Sequence, residues 1–337
     1  MKTGEVLFIP ADDVAKVLTV KDCLKRCEDT FRWVGEGKVD QLSPKGLWWG
    51  PPDGPYGWGH ALSFPAYIEP LKIVGVKWLG AYRLNRKRGL PPVTAIDIIN
   101  DAETGMPISI LDGTSITAMR TAGHAGVGAK YLARKDSKVI TIIGCGLEGR
   151  THLMMMNEIF KIEQVRAFDI VEEAKFRFKE EMSEQLNLNI VPTDSAREAV
   201  KGADVICMVT TAKEPLVMEE WIEPGAHVCA TTGFMDLDPN CAISFDKWVV
   251  GYYGRDLEWI EGEEVGKMSP DSFPYTKKDI YADLSTEIIL GKKPSRQSDK
   301  ERTIMTHLGM PAFDAAVAAL VYEKAKEKGI GTVLKVF

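Results

Sequence analysis

The chain has 337 residues, 45% of them hydrophobic and 27% charged, with a formal net charge of −6. This is ordinary globular composition, long enough for about two domains. The acidic balance gives no electrostatic reason to bind nucleic acid or an anionic membrane, and no apolar run approaches the roughly 20 residues that cross a bilayer.

In chain order, Thr19 to Gly37 reads as a helix, with Leu24, Cys27, Phe31 and Val34 at helical spacing. From Leu42 to Ile68 the texture changes to Gly, Pro and aromatics, which read as loops. Strands follow at Ile73 to Trp78, Thr94 to Asn100 and Pro107 to Leu111, the last two joined by a hairpin turn over Asp101 to Gly105. A helix begins near Ser115 and runs toward Leu132, with Arg120, Thr121 and His124 on its first turns. Strands near 139–143, 164–168, 204–209, 226–230 and 247–250 alternate with helical patterns, as a parallel sheet requires. Helices over Ile280 to Gly291 and Pro311 to Gly329 close the chain.

The first strand of that parallel set opens directly into Gly144-Cys145-Gly146-Leu147-Glu148-Gly149. A helix from Arg150 to about Phe160 follows, then a strand from Gln164 to Phe168 that ends in Asp169. A Gly-x-Gly-x-x-Gly turn alone is weak evidence. Strand, turn, helix, strand and acid in series are much stronger for a dinucleotide site. The glycines serve the tight turn, the approach of backbone to pyrophosphate and the packing of helix on strand. The helix N-terminus offers N–H groups and a positive dipole end to the phosphates. A carboxylate at Asp169 accepts a ribose hydroxyl and repels a 2′-phosphate. Ile170, Val171, Glu172 and Glu173 after it bring no cation, so NAD(H) is favoured over NADP(H). The competing reading is that Asp169 caps the next helix.

Six cysteines, Cys23, Cys27, Cys145, Cys207, Cys229 and Cys241, are scattered without a Cys-x-x-Cys pair, which excludes a zinc ribbon or thioredoxin-type motif. Several sit in apolar runs as small buried hydrophobes. With no export-type apolar run in Met1 to Glu5, a reducing cytoplasm is expected. No metal cluster is evident, and the carboxylates between Glu258 and Glu264 read as a solvated face.

Several segments resemble the family of ornithine cyclodeaminase, mu-crystallin and archaeal alanine dehydrogenase. They are Phe64-Pro65-Ala66-Tyr67, Gly75-Val76-Lys77-Trp78, Asp112-Gly113, Ala118-Met119-Arg120-Thr121, the glycine turn, Gly202-Ala203-Asp204-Val205, Pro224-Gly225-Ala226-His227 and Leu308-Gly309-Met310 with Asp314. The resemblance covers nearly the whole chain. It implies an α/β fold: a Rossmann NAD-binding domain, residues 118–309, inserted in a mixed α+β substrate-binding and dimerisation domain, residues 1–117 plus 310–337. It also implies a homodimer, an active site in the cleft between the domains, and a small amino-acid, keto-acid or imine substrate.

The same resemblance assigns residues. Lys77 becomes the active-site lysine, an acid/base group near the substrate; its strand alone leaves open a solvent-facing lysine. Arg120 becomes the clamp on the substrate carboxylate, helped by its place at a helix start, and a neighbour of the cofactor with Thr121. Lys45 stands where the family usually has arginine, in the substrate site, or is an exposed loop lysine. Phe64, in the family's Met position, borders the substrate. Gly144, Gly146, Leu147, Glu148, Gly149 and Asp169 hold the cofactor. Thr210, Thr211, Thr232 and Gly233 follow strand ends and border it. His307 approaches the nicotinamide and could deliver a proton, or is a hydrogen-bonded structural residue.

Two departures matter. Cyclodeaminases carry an Asp-x-x-Gly-Lys core after the fifth strand, and Thr231 to Pro239 lacks it. Asp236 or Asp238 would have to substitute, Asp236 aligning with the Glu of that pattern and standing as the catalytic candidate. Trp48, Trp49, Tyr56, Trp58, Trp78 and Tyr82 suggest an apolar wall and a bulky or aromatic substrate. The resulting expectation is an NAD(H)-dependent oxidoreductase at a C–N bond next to a carboxylate, an amino-acid dehydrogenase or imine reductase. The alternatives are a cyclodeaminase-type ammonia lyase and, in another class, a non-catalytic binder or accessory subunit like mu-crystallin.

Overall fold

Alternating apolar residues build the first sheet. Its strands are β1 (Glu5–Ile9), β2 (Val39–Gln41), β3 (Lys45–Trp49), β4 (Gly59–Ile68), β5 (Ile73–Tyr82), β6 (Val93–Asp101), β7 (Pro107–Asp112) and the closing β16 (Thr332–Lys335). They lie in the order β16-β1-β7-β6-β5-β4-β2, with β3 also paired to β4. The computed structural model describes residues 4–50, 59–212, 214–231, 236–260 and 275–336, so Tyr56, Trp58, Thr232 and Gly233 lie outside the described residues.

The register sets Phe64 opposite Lys77 and Lys77 opposite Asp97. Side chains alternate between faces, so this row shares a face with Ala66, Ile68, Ile73 and Ile99, all buried. Helix α9 (Pro311–Lys328) covers that face. It opens with Pro at its first turn and ends at Gly329, which takes φ 65°. A Cβ on Gly75 would meet the Ala315 Cβ at 2.7 Å, so glycine and alanine let helix and sheet touch. α1 (Ala11–Val17) and α2 (Val20–Gly35) pack beside it. In α2, Thr19 caps the Asp22 N–H at 3.2 Å, and Cys23, Cys27, Phe31 and Val34 form the buried stripe. The opposite face of the sheet carries Trp78 and Ile96, which are 48% and 50% exposed.

The segment read as loop therefore contains β3 and β4. Aromatic residues fit a pleated, half-buried surface, and pairing with β5 outweighs the local Gly and Pro content. The turn over Asp101 to Gly105 is a hairpin turn: Asp101 accepts the Thr104 N–H at 2.8 Å, and Gly105 takes φ 71°.

α3 (Gly113–Leu132) leads to the second sheet. Its strands are β8 (Val139–Ile143), β9 (Gln164–Phe168), β10 (Ile190–Pro192), β11 (Val205–Met208), β12 (His227–Ala230), β13 (Lys247–Val250), β14 (Ala282–Asp283) and β15 (Thr303–Thr306). Every pairing in it is parallel, in the order β10-β9-β8-β11-β12-β15-β13-β14. The chain winds outward from β8 in both directions, so the switch point lies between β8 and β11. The helices are α4 (Leu147–Ile159), α5 (Glu172–Leu186), α6 (Ala196–Val200), α7 (Asn240–Ser244) and α8 (Tyr253–Ile260). Strand β15, buried along its whole length between β12 and β13, was not expected. The helix expected over Ile280 to Gly291 is instead β14 and a π-turn over Leu284–Ile288, capped by Asp283, which accepts the Thr286 N–H at 2.9 Å.

The described residues form two compact units. One holds the residues up to Arg120 and from Met310 onward; the other runs from Thr121 to 260 and from 275 to Gly309. Among the described residues no helix is long and apolar enough to cross a membrane, and no group of three His, Cys, Asp or Glu could hold a metal ion.

Candidate active site

In the second unit, each glycine of the turn after β8 has a distinct surrounding. Gly144 takes φ 105°, and a Cβ there would sit 2.6 Å from the Val209 carbonyl oxygen. A Cβ on Gly149 would lie 2.2 Å from the Gly144 oxygen, so the third glycine permits α4 to pack on β8. Gly146 differs: a Cβ there would meet no protein atom within 4 Å, and its φ is −79°. Neither strain nor packing calls for that glycine, whereas close approach of a phosphate does. α4 begins at Leu147 with no side-chain cap on Gly146, which leaves its first N–H groups suited to an anion. Leu147 is exposed, and Glu148 lies in the same first turn.

Asp169 follows β9 and turns back onto the glycine turn. One oxygen accepts the Cys145 N–H at 2.8 Å and the other the Val171 N–H at 2.9 Å. α5 starts after Val171 without a side-chain cap, so Asp169 does not cap it. Each carboxylate oxygen has a second lone pair for a ribose hydroxyl. Glu172 and Glu173 in the first turn of α5 would repel a 2′-phosphate. The residues present therefore fit a dinucleotide without that phosphate.

The other candidates in this unit also follow strand ends. Thr210, after β11, donates its hydroxyl to Asp236 at 2.8 Å; Thr211 is exposed. Asp236 is buried, and burial pushes its carboxyl up to about 6. His307 follows β15. Its Nδ1 lies 2.8 Å from Asp256, whose two oxygens also accept the Tyr252 and Leu308 N–H groups. A carboxylate on Nδ1 fixes the ring's orientation and tautomer. Any Cβ on Gly251 would strike the His307 ring at 2.3 Å, so that glycine makes room for it. His124 stacks edge-on against the same ring at 4.9 Å. Thr121 is buried in α3.

In the first unit, Lys77 is wholly buried, not solvent-facing. Its ammonium donates to Asp314 Oδ1 at 2.9 Å and to Thr117 Oγ1 at 3.3 Å, and lies 4.2 Å from the centre of the Phe64 ring. Burial pulls it down to about 8, with Asp314 opposing and Arg120 assisting. The Arg120 Nε donates to the same Asp314 oxygen at 2.8 Å. Asp314 sits in the first turn of α9, where the helix dipole favours an anion.

Three expectations change here. Arg120 does not start a helix. α3 begins at Gly113, capped by Asp112, which accepts the Thr114 and Ser115 N–H groups at 3.1 and 3.0 Å. Arg120 stands two turns on, roughly 10 Å along the axis, beyond the reach of the dipole end; its charge answers Asp314 instead. Lys45 lies on β3, paired with Ser63, so it occupies the face opposite Phe64 and Lys77 and is exposed. Trp49 and Trp78 stand on that outer face as well, so the register does not bring them to Lys77. Trp48 stacks on His60 at 6.2 Å.

Asp314, Asp256 and Asp97 were missed as site residues. Asp314 closes a recognisable motif, but its role depends on two residues at least 194 positions away. No local signal marks Asp97 or Asp256.

The ornithine cyclodeaminase/mu-crystallin family matches residues 5–329. Alanine dehydrogenase of Archaeoglobus fulgidus is 31% identical, with 99% of each chain covered. The solved structure of Thermococcus litoralis Δ1-pyrroline-2-carboxylate reductase, in complex with NADH and L-proline, is 34% identical with a TM-score of 0.87, covering 97% of this chain and 99% of that one. An archaeal alanine dehydrogenase dimer with bound NAD is 30% identical with a TM-score of 0.86, covering 99% of this chain and 100% of that one.

Proposed function

This chain belongs to the ornithine cyclodeaminase/mu-crystallin family, and we propose that it is an NAD(H)-dependent oxidoreductase acting on a carbon–nitrogen bond next to a carboxylate, as an amino-acid dehydrogenase or imine reductase. The observation that carries the reading is Lys77: a buried lysine drawn down to about 8, beside an arginine, on the chain that also holds the three-glycine turn.

The glycine turn and Asp169 are the residues to hold the dinucleotide, with Thr210 and Thr211 bordering it. When bound, that cofactor supplies or accepts the hydride. Arg120 pairs with the substrate carboxylate through its fork of N–H donors. Lys77 exchanges a proton at the substrate nitrogen, and a value near 8 lets it do so in either direction around neutral pH. Asp314 holds both cations in place. Phe64 covers the Lys77 ammonium. His307, oriented by Asp256, is the candidate proton carrier of the second unit, and Asp236 the candidate acid.

The outer face of the first sheet supports a homodimer. Phe8, Val74, Trp78 and Ile96 are exposed there, an apolar surface of the kind that subunit contacts cover. The archaeal alanine dehydrogenase structure is described as a dimer. All six cysteines are buried and none is disulfide-bonded, which suits a reducing cytoplasm.

The test is a paired assay of NADH absorbance and free ammonia across L-alanine, L-proline and larger amino acids, run in reverse with keto acids plus amines and with cyclic imines. NADH formation or consumption coupled to product supports the reading. Ammonia release without net NADH would point to the cyclodeaminase reaction instead.

A further inference from the structure

Asp97 lies on β6 directly opposite Lys77 and on the same sheet face. It is 2% exposed, and neither of its carboxyl oxygens has a hydrogen-bond partner. The groups that could answer its charge are committed elsewhere. Lys77, from β5, donates to Asp314 and Thr117. Arg120, from α3, donates its Nε to Asp314 of α9. The Thr114 and Ser115 amides at the start of α3 go to Asp112 of β7. Gly113 opens the space the carboxyl occupies, since a Cβ there would sit 2.9 Å from Asp97 Oδ2. From α2, burial pushes the Cys27 thiol up and so keeps it neutral.

A buried carboxylate without a hydrogen bond is costly, and such a group takes up a proton instead. With Asp97 neutral, Lys77, Arg120 and Asp314 sum to a single positive charge. That charge is what one incoming carboxylate neutralises. With Asp97 ionised the cluster is already neutral, and a bound carboxylate would leave a buried negative charge unbalanced.

We propose that Asp97 sets the charge of this site: held as the neutral acid, it keeps the Lys77–Arg120–Asp314 cluster cationic and thereby receptive to a substrate carboxylate, and its ionisation expels that carboxylate. The proposal rests on the oxidoreductase reading for the identity of the ligand. Burial first, and then the charge of Asp314, hold the Asp97 carboxyl well above the usual carboxylate range, against the pull of Lys77 and Arg120.

The test uses the full chain and two neutral variants, Asp97→Asn and Asp97→Leu, so that one failing to fold leaves the other. The first readout needs no substrate. A carboxyl titrating at ~3.9 in the unfolded chain and higher in the folded one binds more protons when folded, so the stability it confers is complete below ~3.9 and lost as pH rises toward the folded value. The melting temperature of each variant, relative to wild type, should therefore climb as pH is raised from 4 to 8. A flat or falling difference means Asp97 is ionised in the fold and overturns the proposal. The second readout is KM for L-alanine or L-proline with NAD+ over the same range. Wild-type KM should rise with pH by one proton-linked step more than the variants, up to about tenfold per pH unit for that step. Identical profiles, with wild type turning over, overturn the role of Asp97 alone. If no carboxylate is bound or turned over by any of the proteins, the oxidoreductase reading fails and the role of Asp97 fails with it.

Discussion

The Lys77 ammonium lies 2.9 Å from Asp314 Oδ1, and both side chains are wholly buried. Two elements far apart in the chain, β5 and the first turn of α9, thus meet in one ion pair that Arg120 completes. Removing a single partner from such a group leaves an uncompensated charge in the interior.

Asp314→Ala should cost about 3–5 kcal/mol of stability, the range for breaking a buried pair, as read by denaturant unfolding. Asp314→Asn keeps the shape and removes the charge. Because Asp314 holds the Lys77 value up, that variant should move the Lys77 limb of the pH–rate profile to lower pH.

The direction of the wild-type profile follows from the proton Lys77 carries. Amine oxidation needs the free base, so its rate should rise through about pH 8. Imine reduction needs the ammonium and should fall through the same value. Lys77→Met should remove the limb and lower kcat by roughly 10²–10⁴-fold. A limb that persists in the variant assigns it to another group.

The three glycines should separate binding from folding. At Gly146→Ala the added Cβ meets no protein atom within 4 Å, so thermal stability should hold while the NADH dissociation constant weakens by tenfold or more, about 1.4 kcal/mol. Gly149→Ala drives a Cβ onto the Gly144 oxygen and should cost about 1–3 kcal/mol, as overpacking does. Fluorescence titration with NADH and thermal unfolding decide both.

On the outer sheet face, the double substitution Trp78→Glu and Ile96→Lys should halve the mass seen by light scattering, with circular dichroism unchanged. An unchanged mass would overturn the proposal that this face joins two subunits.

The dinucleotide half was legible because its signals are local. An apolar strand, a glycine turn and an acid at the next strand end lie within thirty-one residues, Val139 to Asp169, and each glycine's need is met by atoms close in sequence or by the strand beside it. The 3.6-residue pattern of α2 and the Asp101 turn were legible for the same reason. The loop reading failed for Lys45–Trp49 and Gly59–Ile68 because the pairing of β3 with β4 and of β4 with β5, not local propensity, makes them strands.

The charge arrangement is a different matter. Which face Lys45 and Trp78 occupy depends on strand register, and one residue of register exchanges the two faces. The partners of Lys77, Arg120 and His307 come from α9 and α8, and their energies arise from burial, which only packing creates. Lys77 as an exposed lysine would be an ordinary ammonium. Enclosed by Phe64, Thr117 and Asp314, with the unpartnered Asp97 across the strand, it becomes a group that titrates near neutral pH. The sequence alone determined the nucleotide turn and the family's lysine and arginine; the tertiary structure decided their charge states, because desolvation and ion pairing exist only once distant elements have closed over them.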